Sequence, residues 1–475
     1  MAAHQGDNQG REMSGGSAIP AAPELSFADL FPSSSVSPPP RSPGSPLTVG
    51  FDLGVLGLGH SIERARTGVF RVAEQVVKAL GAHPNCTLAP AAFRHYYKAL
   101  QYWKSDENPL QEVAEWQHDK YISWADLHLR RVYSTIALCR QEYQRESVFD
   151  QLFPLLHEAL RMLDLGSYPP GEAWLDRVDL FYSAYYSIPQ EIIDEKIPHF
   201  LTIHDLIPIH FPDWFEWNEA AEIKKIIHSL GDRGAYVCVS ESTRRDLLNY
   251  LDGRIDPSRV GVAHLAADPG VFYPCQDQEK WAAVREKYEL PDSAYFLSLC
   301  TLEPRKNIEL VIRAFGQLLQ QEKVQDLSLV LVGSTGWKHE AVTQALEESG
   351  IHRDRIFLPG FVDDADLASI YSHALGFVYP SRYEGFGLPP LEAMQCGTPA
   401  IVSNRASLPE VVGNAGILID PDDCDGLSEA MLTWYNHPGE RQRFAALALE
   451  QAKRFTWHRA ADTILTMGRQ LLSQT

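Results

Sequence analysis

The densest run of residues able to do chemistry is Tyr379–Pro399, YPSRYEGFGLPPLEAMQCGTP, where an apolar strand end gives way to a glycine-containing loop and then a helix opening on Pro389 and Pro390. Proline suits a first helical turn, where its missing N–H would be unpaired anyway. The N–H groups of Gly385, Phe386, Gly387 and Leu388 and the positive end of the helix dipole then face one point, a site for an anion such as phosphate. Glycine at 385 and 387 allows close backbone approach. Glu384 precedes the turn and Glu392 follows on the first turns of the helix. Two carboxylates therefore flank the anion site, and a carboxylate accepts from two neighbouring hydroxyls, as a sugar or ribose diol offers. Earlier in the chain, Arg305 and Lys306 in EPRKN place two cations before another helix, with Asn307 positioned to cap it. Each piece alone has a structural reading: a helix-dipole partner, a surface acid, turn glycines, a solvated basic pair.

The elements that must position these groups read as two successive strand and helix series. Residues 1–46, with eight Pro, nine Ser and five Gly, read as a disordered tail. LTVGFDLGVLG then has the texture of a strand, and ARTGVFRVAEQVVKAL the spacing of an amphipathic helix N-capped by Thr67. Residues 93–166 are mostly helical in pattern. VDLFYSAYY, HFLTIHDLIPI, AYVCVS and VGVAHLAA read as buried parallel strands, apolar without polar alternation. A polar segment from Pro274 to Pro291 separates them from AYFLSLCT, LSLVLVGS, RIFLPG, ALGFVYPS, PAIVS and GILIDP. Two such arrays predict an α/β chain of two Rossmann-like domains facing each other across a cleft, with ligands at the C-terminal strand ends. The expected division is 47–277 and 278–455, with the helix 456–475 rejoining the first domain. His204 and Asp205 end one strand, and Gly68 opens the first amphipathic helix.

The E-x7-E spacing of Glu384 and Glu392 resembles that of the family 4 retaining glycosyltransferases, which have the GT-B fold. TLEPRKNIELVIRAF, VLVGSTGW, FLPGFVDDADLASIYSHA and SNRASLPEVVGNAGILIDPDD resemble successive blocks of that family. The likeness covers most of residues 47–475 and is strongest from Thr301 to Asp423. In texture it is nearest to bacterial mannosyltransferases of surface-polysaccharide assembly. The resemblance implies transfer of a mannose- or glucose-class hexose from a nucleotide sugar of GDP-mannose or UDP-glucose type to the hydroxyl of a glycan, lipid-linked or small-molecule acceptor. It further implies retention of configuration, with no metal and no cofactor. It assigns Glu384 and His204 to the transferred sugar, Glu392 to the donor ribose, and Arg305 and Lys306 to the diphosphate. The amides of Gly385, Phe386, Gly387 and Leu388 would hold sugar and diphosphate. Gly68 matches a glycine loop near the phosphates, and Gly333, Phe361 and Val362 match base-proximal positions. Cys300-Thr301 stands where many members have Gly-Arg, which ranks Lys306 above Arg305. The implied chemistry is a front-face substitution in which the departing phosphate oxygen takes the acceptor's proton, while the protein stabilises charge building on the diphosphate.

Composition narrows the alternatives. The 42 Lys and Arg against 62 Asp and Glu leave a net charge of −20, which repels a nucleic-acid polymer. Seven scattered cysteines without a C-x-x-C pair read as reduced thiols of a cytoplasmic protein, not as a zinc site or disulfide framework. No apolar run is long enough to span a membrane, and no strongly basic amphipathic helix supports peripheral membrane contact. Asp363, Asp364 and Asp366 contain a D-x-D pattern but precede a helix, where N-capping and dipole compensation explain them better than a metal. Gly54, Gly57 and Gly59 form the reverse of a dinucleotide fingerprint, which leaves a nicotinamide-dependent oxidoreductase as one alternative. A non-catalytic nucleotide-sugar binder is another. Ser240 reads as a family-like position or a helix cap, and Phe211, Trp214, Phe215 and Trp217 as packing or an acceptor platform.

Overall fold

Two sets of apolar strands form two six-stranded sheets. The first contains β1 (Leu47–Asp52), β2 (Cys86–Ala91), β3 (Leu180–Ser183), β4 (His199–Ile203), β5 (Gly234–Cys238) and β6 (Val260–Val262), in the order β2-β1-β3-β4-β5-β6. The second contains β7 (Ala294–Leu299), β8 (Leu327–Val332), β9 (Ile356–Gly360), β10 (Gly376–Tyr379), β11 (Ala400–Ser403) and β12 (Gly416–Ile419), in the order β12-β11-β10-β7-β8-β9. Every paired neighbour is parallel. This is a computed structural model, and it describes residues 45–61, 68–105, 108, 170–215, 218–299, 303–322, 324–333, 344, 346–347 and 353–474. All of them belong to one compact unit, Pro43–Thr475. The tail through residue 44, Thr67, most of the run 93–166, Trp217 and Cys300-Thr301 lie outside the described residues.

The interior strands β1, β3, β4, β5, β8, β10 and β11 are buried at every position, because helices cover both faces of a parallel sheet. Solvent reaches the edge strands β9 and β12. Strand β2 has no counterpart in the sequence reading: CTLAPA carries a proline and little β-branching, and only its place at the sheet edge makes that tolerable.

The first strand is shorter than its apolar texture predicts. It ends at Asp52, whose Oδ1 accepts from Gly54 N at 2.9 Å and Phe93 N at 3.3 Å, and the helix Gly54–Ser61 follows at once. The glycines there serve packing. A Cβ on Gly57 would stand 2.2 Å from the Ala99 nitrogen in the helix Tyr96–Trp103, and one on Gly59 would stand 2.1 Å from Phe70. They lie within a helix and not in a phosphate loop, so the oxidoreductase alternative loses the feature that suggested it.

The terminal helix Trp457–Gln474 packs on the helix Gly68–Gly81, burying Ala461, Ile464, Leu465 and Leu471. Its Gly468 faces β3 closely enough that a Cβ would stand 2.9 Å from Leu180.

Candidate functional site

Strands β7 and β10 are neighbours, so the segments leaving their C-terminal ends meet. After β7, the short turn Pro304–Lys306 carries Arg305 and Lys306. After β10, the loop carries Glu384 and leads into the helix Leu388–Gln395, with proline in its first turn. Lys306 Nζ lies 2.7 Å from Glu384 Oε1, and Arg305 Nη1 lies 2.9 Å from Oε2. Tyr379 and Ser381 donate their hydroxyls to the same Oε1 at 2.9 and 2.7 Å, and Lys306 donates to Tyr379 at 2.6 Å. Lys306 and Glu384 are each 8% exposed, so the pair is fully formed out of water.

Burial alone raises the Glu384 carboxyl, but Lys306 and Arg305, with hydrogen bonds from Lys306 and Ser381, outweigh it and hold the group at about 2. Glu384 is therefore a fixed anion across the neutral range and no proton donor. Arg305 also pairs with Glu303 at 3.0 Å. Burial opposes its charge, and the two glutamates more than restore it. Tyr379, Ser381 and Glu303 carry no role in the sequence reading, although Tyr379 and Ser381 sit within the same run as Glu384.

Asn307 departs from expectation. It adopts a left-handed backbone at φ 59, and its Nδ2 donates to the carbonyls of Pro380 at 3.1 Å and Pro421 at 2.7 Å. Its Oδ1 accepts from Arg382 at 3.3 Å. The side chain ties the cation turn to the loop after β10 instead of capping the helix Ile308–Glu322. Asp363 departs likewise. It occupies the N-cap position of the helix Asp364–His373 without a side-chain cap bond, and with Asp366 it binds Lys287 at 2.7 and 2.8 Å. Asp364 pairs with Arg71 at 2.8 Å. These acids are matched by cations already.

The glycine loop also touches the ends of the first sheet. A Cβ on Gly385 would stand 2.0 Å from the His204 carbonyl oxygen and 2.9 Å from Asp205 Cβ, so only glycine allows this approach. The Gly385 carbonyl accepts from Ser240 at 2.6 Å and Thr243 at 3.0 Å. Ser240 also caps the helix Glu241–Leu251 by accepting from Thr243 N at 3.0 Å. The Glu410 carboxylate accepts from Glu241 N at 2.9 Å and Ser242 N at 3.4 Å, and lies 2.5 Å from His264 Nε2. Tyr383 donates to Asp246 at 2.7 Å and packs on Phe211, which stacks on Trp214, so this part of the aromatic cluster is packing between loops.

His204 directs Nε2 to the Ala184 carbonyl at 2.8 Å, and burial lowers its pKa. The ring is neutral with its proton on Nε2, which leaves Nδ1 as an acceptor. Asp205 closes a turn onto Ile207 N at 2.9 Å, and burial raises its carboxyl against the opposing field of Arg305. Glu392 is partly buried. Burial pushes its carboxyl to about 7, opposed by Arg71 and by the Tyr371 hydroxyl at 3.1 Å.

The remaining expected positions make no hydrogen bond to the Glu384 network among the described residues. Gly68 begins its helix in open space. Gly333, at φ 141, donates its N–H to Gly360 O at 2.9 Å, which joins the ends of β8 and β9. Phe361 beside them is 72% exposed, whereas Val362 is 4% exposed and belongs to the core. His83, His458 and Asp462 have potential ligand atoms within 4.8 Å of one another. However, His83 Nδ1 accepts from Asn85 N at 3.1 Å, so its proton sits on Nε2 and is donated to Asp462 at 2.9 Å. A metal would need the lone pair that this proton occupies.

Residues 279–451 match the family described as glycosyl transferases group 1. The O-antigen chain mannosyltransferase B of Escherichia coli is 36% identical over 312 residues, which make up 64% of this chain and 77% of that protein. The chain belongs to the group 1 glycosyltransferases. The serotype-specific mannosyltransferase WbdA of Escherichia coli is 31% identical to this glycosyltransferase over 285 residues, a stretch spanning 33% of that longer protein. In fold, the sucrose-phosphate synthase of Thermosynechococcus elongatus aligns over 91% of this chain and 100% of its own at a TM-score of 0.57, with 18% identity. The two parallel sheets are those of the GT-B fold. No helix among the described residues of this glycosyltransferase is long and apolar enough to cross a membrane.

Proposed function

We propose that this glycosyltransferase moves a mannose-class hexose from a GDP-mannose-type donor, with UDP-glucose type second, to the hydroxyl of a glycan, lipid-linked or small-molecule acceptor. The setting is glycan or polysaccharide assembly in the cytoplasm, and the anomeric configuration is retained. One observation carries the reading: Arg305, Lys306 and the loop Gly385–Leu388 converge on Glu384, so two cations and a helix N-terminus stand beside an acid able to accept from sugar hydroxyls. The likeness to the O-antigen chain mannosyltransferase B favours mannose.

In this reading Lys306 and Arg305 stabilise charge on the departing diphosphate, the task that a metal performs in other transferases. Glu384 orients the cations and meets the sugar. His204, through its unprotonated Nδ1, accepts from a sugar hydroxyl, and Glu392 takes the ribose. Gly68 is assigned to the phosphates, and Gly333, Phe361 and Val362, largely through their backbone, to the base. We assign 47–277 with the terminal helix to the acceptor and 278–455 to the donor. The five described cysteines are free thiols, in keeping with a cytoplasmic setting.

The test is a thermal-shift panel of GDP-mannose, UDP-glucose, GDP and UDP against the purified chain. A ligand present at a hundredfold excess over its Kd stabilises by about 2.7 kcal/mol, a shift of several degrees. GDP-mannose and GDP are expected to give that shift. A shift with UDP-glucose alone overturns the donor assignment, and none with any of the four overturns the reading.

A further inference from the structure

The loop Gly385–Leu388 presents N–H groups to an anion only if its peptide planes are turned correctly, and three buried hydroxyls set them. The described peptides are trans, so each carbonyl points opposite to the N–H of the next residue. Ser407 Oγ lies 2.9 Å from Glu384 O and 2.5 Å from Phe386 O, which turns the N–H groups of Gly385 and Gly387 away from Ser407. One hydroxyl has one proton, so Ser407 serves these two carbonyls in turn.

The peptide between them is held by two more hydroxyls. The Gly385 carbonyl accepts from Ser240 at 2.6 Å and Thr243 at 3.0 Å, which turns the Phe386 N–H away from the helix Glu241–Leu251. The Ser240 oxygen meets the Thr243 N–H as an acceptor, and its one proton goes to Gly385 O at 2.6 Å ahead of Thr243 Oγ1 at 3.1 Å. Ser240 and Ser407 are 0% exposed and Thr243 is 1% exposed, so water does not compete. Among the described residues, none accepts from the N–H groups of Gly385, Phe386 or Gly387. The carbonyls of Glu384, Gly385 and Phe386 are thus each held by a hydroxyl, while the N–H groups that follow them stay open.

We propose that Ser240 and Thr243 are positioning residues for the anion-binding loop: by holding the Gly385 carbonyl they fix the Gly385–Phe386 peptide so that the Phe386 N–H stays presented to a nucleotide diphosphate. This rests on the reading of that loop as the donor's diphosphate site. Both hydroxyls come from the segment after β5, while the loop follows β10, so alignment of the loop depends on contact between the two halves of the unit.

The test uses the full chain and three variants, Thr243→Val, Thr243→Ser and Ser240→Ala/Thr243→Val. GDP and guanosine are titrated calorimetrically, with UDP and uridine in parallel. Valine keeps the shape of threonine and removes the hydroxyl, whereas serine keeps the hydroxyl and removes the methyl. One net hydrogen bond corresponds to about fivefold in affinity, and two to about thirtyfold. Thr243→Val is therefore expected to weaken the diphosphate about fivefold and the double variant about thirtyfold. Nucleoside affinity should stay unchanged, and Thr243→Ser should match the wild type.

If the valine variants melt earlier yet keep the wild-type ratio of diphosphate to nucleoside affinity, the hydroxyls only tie the halves together and the proposal fails. If Thr243→Ser loses affinity as Thr243→Val does, packing is responsible and the proposal also fails. A wild-type chain that binds neither GDP nor UDP overturns the diphosphate reading itself and the positioning role with it.

Discussion

Replacing Glu384 by glutamine keeps the size of the side chain and removes the anion that Lys306 and Arg305 share. The carboxyl lies at about 2 in the folded chain against an ordinary 4.5. At about 1.4 kcal/mol per unit, that difference makes the ionised group worth about 3 kcal/mol of stability. Removing one partner of a buried pair costs about 3–5 kcal/mol, so two independent estimates agree. The sign follows from a depressed acid: the stabilisation is complete above about pH 4.5 and is lost as pH falls through about 2. At pH 3.5 somewhat under half of it has gone. Urea unfolding of wild type and Glu384→Gln at 25 °C between pH 3.5 and 7 measures this directly. The variant is expected to be about 3 kcal/mol less stable at pH 7, with the gap clearly narrower at pH 3.5. Equal stability at pH 7, or a gap indifferent to pH, refutes the buried network as the source of the low pKa.

Four further outcomes follow from the geometry. The Glu392 carboxyl is pushed by burial to about 7 and accepts hydroxyls best when ionised, so donor affinity should rise from pH 6 to 8. The slope should vanish in Glu392→Gln, and persistence in that variant rejects the assignment. The same group, raised on folding, makes wild-type stability fall as pH climbs from about 4.5 to 7, a trend that Glu392→Gln should flatten. Gly385→Ala places a methyl 2.0 Å from the His204 carbonyl and should separate loop from strand end, with transfer falling at least tenfold while the far-UV spectrum is unchanged. EDTA should leave the transfer rate unchanged; a loss restored by manganese shows that Asp363, Asp364 and Asp366 hold a metal after all.

The strands were legible wherever burial on both faces leaves an unbroken apolar run, as in HFLTI and LSLVLV. They were illegible at the sheet edge, where CTLAPA pairs on one side only, and at β1, where the apolar texture runs on past Asp52 into a packed helix. The candidate site was half legible. The loop glycines, the two prolines, both glutamates and the Arg-Lys pair announce themselves by local spacing. Their mutual bonding does not, because Lys306 and Glu384 lie 78 residues apart and meet only because β7 and β10 are adjacent. Ser240 reads as a cap and is one; its second bond, to Gly385 across 145 residues, leaves no local trace. Asn307 and Asp363 have cap-forming side chains at cap-like positions, yet partners distant in sequence take those side chains instead.

On this reading Lys306 and Arg305, gathered on Glu384, hold the diphosphate of a nucleotide sugar. Calorimetric titration of GDP and UDP into wild type and Lys306→Ala tests it most directly. The wild type is expected to bind GDP and Lys306→Ala to lose at least tenfold in affinity, since a charge-assisted bond is worth about 1.5–3 kcal/mol. Equal affinity of the two proteins for the diphosphate contradicts it.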